Sequence, residues 1–130
     1  MDIAADTSVV EPRRVCILGS TGSVGKNTID LIERQPGAFV VEALTANTNV
    51  ALLAEQARRL RPKFVVVADP SRYQDLKDAL NGCEIEVGAG PQAVVEAASR
   101  DSDWVMAAIV GAAGLKPTMA AVKRGAVIGL

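Results

Sequence analysis

A glycine-spaced stretch, Gly19-Ser20-Thr21-Gly22-Ser23-Val24-Gly25, directly follows the apolar run Val15-Cys16-Ile17-Leu18 and opens a helical pattern. Strand, glycine turn and helix, in that order, constrain the fold more than anything else in the chain. This is how an α/β protein sets a pyrophosphate against a helix N-terminus. A Cβ in the turn would hold phosphate oxygens away from the backbone, and glycine both lacks it and tolerates the turn. The first helical turn then presents N–H groups that have no partner inside the helix. The spacing is G-x-x-G-x-x-G, not the G-x-G-x-x-G of the usual dinucleotide fingerprint. A T-G-x-x-x-G-x-G reductase pattern is excluded, because Lys26 and Asn27 stand where it needs more glycine. A tight βα turn that binds nothing is the competing explanation. On the ligand reading, the backbone comes closest to the anion at Gly22, which is expected at positive φ.

The 130 residues suffice for one ordinary domain with a real core. Apolar residues make up 49% and aromatics only 3%, so the core should be aliphatic and alanine-rich. The formal net charge is −1, and the one basic cluster, Arg58, Arg59, Arg61 and Lys63, reads as the solvated end of a helix. No nucleic-acid or membrane partner is expected, and no apolar run approaches the ~18–20 residues of a membrane-spanning helix. Residues 1–13 lack the apolar stretch of a signal peptide and are expected to form a flexible tail, with 14–130 as a single domain. Cys16 and Cys83 form no C-x-x-C, so zinc is not expected; free thiols in a reducing, cytoplasmic compartment are. The chain has no histidine, which removes the commonest general base and metal ligand.

Strands and helices alternate. Val24, Thr28, Leu31 and Ile32 mark a helix face, and the helix should end near Pro36-Gly37. Phe39–Leu44 reads as a second strand, followed by a tip at Thr45-Ala46-Asn47-Thr48-Asn49. Asn49 is placed to cap a helix whose apolar face is Val50, Leu53, Ala54, Ala57 and Leu60. Phe64–Ala68 is a third strand, and Asp69-Pro70 an N-cap followed by proline at the first helical position. Tyr73, Leu76 and Leu80 carry the next helix. Glu84–Val87 follows as a short strand, then a helix over 91–98, a continuous apolar strand over 104–110, a helix over 117–124 and a last strand from Ala126. The expected fold is Rossmann-like: a doubly wound, mostly parallel sheet with helices on both faces. Because the chain stops within an apolar strand, a fragment truncated before a catalytic domain is expected.

In such a fold the tip of the second strand meets the adenine ribose, and an acid there favours NAD. This tip carries no carboxylate. Asn47, Thr48 and Asn49 offer donors to a 2′-phosphate, which favours NADPH. A glutamate placed at Ala46 or Thr48 should therefore reverse the preference. The small residues Ala107-Ala108-Ile109-Val110-Gly111-Ala112-Ala113-Gly114 would let a flat ring such as nicotinamide lie against a strand end; close helix–sheet packing explains them equally well. No Ser-His-Asp set, metal cluster or catalytic carboxylate pair can be assembled, so no catalytic or metal-binding residue is assigned in this chain.

Three blocks together resemble the N-terminal NADPH-binding part of the 1-deoxy-D-xylulose 5-phosphate reductoisomerase family. They are Ile17–Gly25, Leu44–Val50 and Val105–Leu115, and the resemblance runs from Arg14 to Leu130. It implies an enzyme, both oxidoreductase and isomerase, that converts 1-deoxy-D-xylulose 5-phosphate to 2-C-methyl-D-erythritol 4-phosphate in non-mevalonate isoprenoid biosynthesis. NADPH and a divalent metal (Mg²⁺, Mn²⁺ or Co²⁺) would serve the full-length enzyme, a homodimer acting on a small phosphorylated sugar. By resemblance, Thr21, Gly22, Ser23 and Val24 contact the cofactor phosphates, and Asn47, Thr48 and Asn49 form the 2′-phosphate loop. Ala108, Ile109 and Val110 line the nicotinamide side. Many relatives have glycine and a basic residue where Asn47 and Thr48 stand. The family's metal-binding acids lie beyond these residues, so the chain alone is expected to bind cofactor without turning over substrate. The alternatives are the cofactor domain of another NADP-dependent oxidoreductase, such as an aspartate-semialdehyde dehydrogenase-like enzyme, and a non-catalytic nucleotide-binding module.

Overall fold

In a computed structural model, residues 11–107 and 127–129 are described. Six strands form one sheet: β1 (Arg13–Leu18), β2 (Phe39–Ala46), β3 (Phe64–Val67), β4 (Glu86–Ala89), β5 (Trp104–Ala107) and β6 (Val127–Gly129). Their order across the sheet is β4-β3-β2-β1-β5-β6, and every pairing is parallel. The chain works outward from β1 to β4, then crosses back to lay β5 on the other side of β1. The order therefore reverses at β1 and β5, beside which ligands bind in open α/β sheets.

Helices α1 (Ser23–Glu33), α2 (Val50–Leu60) and α3 (Tyr73–Ala79) supply one face of the core, where Ile29, Ile32, Leu53, Ala54, Ala57 and Leu76 meet Val15, Ile17, Leu44, Ala46, Val65 and Val67. Helix α4 (Pro91–Ser99) covers the other face, packing Val94, Ala97 and Ala98 on Cys16, Leu18, Ala43, Phe64, Val66 and Val105. The doubly wound parallel architecture is thus present. Among the described residues no helix is long and apolar enough to cross a membrane. The expected helix over 117–124 and the 108–114 block lie outside the described residues, as does the N-terminal ten-residue stretch of the expected tail.

Several elements differ from the sequence reading for identifiable reasons. On α1 the buried stripe is Gly25, Ile29 and Ile32, while Val24 and Leu31 are more than half exposed. The stripe keeps helical spacing, at i, i+4 and i+7, but is rotated because Gly25 must press on the preceding turn. Strand β2 continues through Thr45 and Ala46, two residues beyond the apolar run that ends at Leu44. Both pair with β3, opposite Val66 and Val67, and both are buried. Strand β4 starts two residues late, at Glu86, because Glu84 adopts a left-handed φ of 56° and completes the preceding turn. The basic cluster lies at the end of α2 as expected: Arg59 binds Glu33 and Glu55, Arg58 donates to the Ala79 carbonyl, and Arg61 closes the helix in a left-handed conformation.

A charged residue inside β2, Glu42, also has a structural explanation. The β1–β2 register slips between Val15 and Cys16, so Glu42 occupies a bulge and points to neither partner position. Its buried carboxylate accepts from Arg100 Nε at 3.1 Å. Arg100 also donates to Glu86 at 3.2 Å and stacks over the Phe64 ring at 4.9 Å. Partial burial alone would lower the pKa of this guanidinium, but its bonds to Glu42 and Glu86 outweigh that and raise it. The cluster sits where β3 and β4 begin, at the edge opposite the glycine turn, and holds the sheet rather than a ligand.

Candidate functional site

Because all strands are parallel, the ends of β1, β2 and β5 open on one edge, with Leu18 paired to Thr45 on one side and to Ala107 on the other. The glycine turn, the Asn47–Asn49 loop and the start of the small-residue block therefore share that edge. Thr45 joins the first two directly. The Gly19 N–H donates to both the Thr45 carbonyl and Thr45 Oγ1, each at 3.0 Å, and the Ser20 N–H donates to the same carbonyl at 2.8 Å.

The three glycines of the turn are glycines for three different reasons. Gly19 has a φ of 83°, the left-handed region that L side chains avoid. Gly25 is packed from within: a Cβ there would overlap the Gly19 carbonyl oxygen and lie 2.6 Å from Ser20 Cα. Gly22 meets neither constraint. Its φ of −79° and ψ of 175° are extended values open to any residue, which corrects the expectation of positive φ. A Cβ at Gly22 would touch nothing in the protein closer than the Gly19 oxygen at 3.8 Å. Its bare backbone faces outward.

Gly22 is also the N-cap of α1, and no side chain caps this helix. The first intrahelical bond is Lys26 N–H to the Gly22 carbonyl at 2.9 Å. The N–H groups of Ser23, Val24 and Gly25 make no hydrogen bond among the described residues, and the first turn carries no acid. Aligned orphan donors at the positive end of a helix dipole suit an anion. Gly22, Ser23 and Val24 are exposed and Thr21 is half-buried, so the expected phosphate-contacting residues do line the open edge.

Asn47, Thr48 and Asn49 are exposed together at the tip beyond β2. Asn49 caps α2 as expected, its Oδ1 accepting from the Leu52 N–H at 3.1 Å. That bond turns the amide so that Nδ2 keeps its two donors for another partner. The Asn47 carbonyl accepts from the Asp69 N–H at 3.1 Å, bringing the Asp69–Arg72 turn beside the loop. Asp69 itself is a cap: its carboxylate accepts from Ser71 Oγ at 2.7 Å and Ser71 N at 3.0 Å. The Ser71 bonds, hydroxyl first, hold its pKa below the ordinary carboxylate value. Ala46 does not belong to the exposed tip, being buried in the core. Glutamate there would bury a charge, so only Thr48 is suited to a test of charge at the loop.

One part of the site had no signal in the motif. Gln56, in the middle of α2, is buried and bonded to Ser20, which is also buried. The apolar face of Val50, Leu53, Ala54, Ala57 and Leu60 does not include it, and nothing in the spacing tells which polar group it meets. Ala108, Ile109 and Val110 fall outside the described residues. Among those described, no group of three or more His, Cys, Asp or Glu side chains could hold a metal ion.

The parallel sheet, its reversal at β1 and the glycine turn at that point define a Rossmann-like α/β domain. The family model for 1-deoxy-D-xylulose 5-phosphate reductoisomerase matches residues 15–130, and the chain belongs to that family. The enzyme of this name from Rhodospirillum centenum is 64% identical over 116 residues, covering 89% of this chain and 29% of the relative. The one from Nitrobacter hamburgensis is 57% identical over 118 residues, covering 91% and 29%. Among solved structures, the Zymomonas mobilis reductoisomerase in complex with NADPH superposes with a TM-score of 0.88 at 54% identity, covering 90% of this chain and 31% of that one. A reductoisomerase in complex with NADPH, fosmidomycin and magnesium gives 0.86 at 34% identity, covering 89% and 29%. The chain thus spans under a third of the length of these relatives.

Proposed function

We propose that this chain forms the NADPH-binding part of a reductoisomerase that converts 1-deoxy-D-xylulose 5-phosphate to 2-C-methyl-D-erythritol 4-phosphate. The observation that carries the reading is Gly22. The protein's own packing and backbone geometry leave room for a side chain there, so its absence serves something approaching from outside. The orphan N–H groups of Ser23, Val24 and Gly25 beside it fit a pyrophosphate. Bound NADPH would supply a hydride. Thr21, Gly22, Ser23 and Val24 would hold its pyrophosphate, and Asn47, Thr48 and Asn49 its 2′-phosphate.

Residues 14–130 act as the cofactor domain and 1–13 as a tail. The sugar phosphate, a divalent metal (Mg²⁺, Mn²⁺ or Co²⁺), a homodimeric assembly and a cytoplasmic setting belong to the full-length enzyme. Family membership favours this reading over a semialdehyde dehydrogenase. The test is titration by cofactor fluorescence. NADPH should bind more tightly than NADH, while the chain alone with 1-deoxy-D-xylulose 5-phosphate and Mg²⁺ oxidises no NADPH. Metal-dependent turnover by these residues alone, or absence of NADPH binding, would contradict the assignment.

Charge at the 2′-phosphate loop gives a second test. Thr48→Glu introduces a carboxylate on an exposed tip, so the fold should be unaffected. Repulsion of the 2′-phosphate should cost about 1–3 kcal/mol at intermediate dielectric, enough to bring NADH level with NADPH or ahead of it. Unchanged relative affinities would place the 2′-phosphate elsewhere.

A further inference from the structure

The glycine turn is gripped from the inside by one side chain of α2. Ser20 Oγ donates to Gln56 Oε1 at 2.7 Å, and Gln56 Nε2 donates to the Ser20 carbonyl at 3.0 Å. A carbonyl only accepts, so Nε2 must face it, and the serine hydroxyl is then left to donate to Oε1. Both orientations follow from the chemistry of the groups. The Ser20–Thr21 peptide is trans and planar. With its carbonyl turned inward to Gln56, its N–H, on Thr21, points the opposite way, toward the open edge. The Ser20 N–H is already committed to the Thr45 carbonyl at 2.8 Å.

Gln56 is out of place by packing alone. Its buried neighbours on α2 are Leu53, Ala54 and Ala57, and an apolar side chain of similar volume would fill the space without needing partners. We propose that Gln56 is a positioning residue: acting through Ser20, it sets the outward aim of the backbone N–H groups of Thr21, Ser23 and Val24 and so governs affinity for the pyrophosphate. This rests on the cofactor reading above. The 2′-phosphate loop, at the start of the same helix, does not depend on it, because Asn49 is fixed by its own bond to Leu52.

The experiment titrates two probes, NADPH and adenosine 2′-monophosphate, against the intact protein and its variants. The second probe carries the 2′-phosphate but no pyrophosphate. Gln56→Met keeps the volume and removes both hydrogen bonds. It should weaken NADPH binding about ten- to a hundredfold and leave adenosine 2′-monophosphate within about twofold. Ser20→Ala should shift NADPH in the same direction by less, since the bond to the carbonyl survives. The double variant should be no weaker than Gln56→Met, as expected of groups acting as one unit.

A folded Gln56→Met protein with unchanged NADPH affinity overturns the proposal. So does an equal loss for both probes together with a lower thermal midpoint, the signature of a purely structural role. If Gln56→Met does not fold, Ser20→Ala decides: a split between the probes supports the proposal, and parallel behaviour overturns it. An unsubstituted protein that binds adenosine 2′-monophosphate but not NADPH would instead refute the pyrophosphate assignment itself, and the proposal with it.

Discussion

Gly22→Val should leave the domain folded and raise the Kd for NADPH by a hundredfold or more. The backbone at this position is extended, and a Cβ would meet only the Gly19 oxygen at 3.8 Å, so the fold has no steric objection. The folding penalty is that of a poor N-cap, about 1 kcal/mol. The branched side chain, however, fills the space through which phosphate oxygens would reach the N–H groups of Ser23, Val24 and Gly25. A hundredfold loss corresponds to about 3 kcal/mol. Gly22→Ala should fall between the two, and Gly22→Asp separates the effects further. Aspartate is a good N-cap and its charge suits the positive end of the helix, so thermal stability should rise slightly. The same charge repels the cofactor phosphates, so binding should disappear. Calorimetric midpoints and fluorescence titration on the same three variants check this. Gly22→Val binding NADPH as well as the starting chain would show that the turn is a packing device.

Gly25→Ala should do the reverse and act on the fold. Its Cβ would overlap the Gly19 carbonyl oxygen and come within 2.6 to 2.7 Å of the Ser20 backbone. The obstacles are main-chain atoms, which have no rotamer to escape into. Helix α1 would have to lift from the turn, loosening Ile29 and Ile32 from the core. A loss of about 3 kcal/mol is expected, with the thermal midpoint falling by roughly 10 °C or more. The exposed neighbour on the same helix, Lys26→Ala, should change stability by less than about 0.5 kcal/mol. Equal behaviour of Gly25→Ala and Lys26→Ala in thermal denaturation would rule out the close approach of α1 to the turn.

The two glycines are indistinguishable as letters, and this marks where sequence reading stops. Alternating apolar segments, the Asn49 cap and the Asp69-Pro70 cap are local features, governed by residues within a few positions of one another, and each is present in the structure. The expected phosphate residues also fall on the open edge, because strand, turn and helix follow one another directly. The rotation of α1 was not legible. Val24 and Leu31 have helical spacing and apolar side chains, yet they face outward because the contact that orients the helix is made by a residue with no side chain. The extension of β2 through Thr45 and Ala46 was hidden for a similar reason: polar Thr45 reads as loop until β3 pairs with it.

By itself, then, the chain determined the order of its elements among the described residues, the parallel doubly wound class, the place of the glycine turn after the first strand and the helix caps. All of these depend on propensity, periodicity and bonds between near neighbours. Tertiary structure alone decided which glycine is bare for the protein and which faces outward, that Ala46 is core and Thr48 is surface, and that Gln56 holds Ser20 from 36 positions away. Those outcomes depend on which backbone atoms are brought together by packing across the sheet. A buried polar side chain takes whatever partner the fold sets before it, and no local pattern encodes that partner.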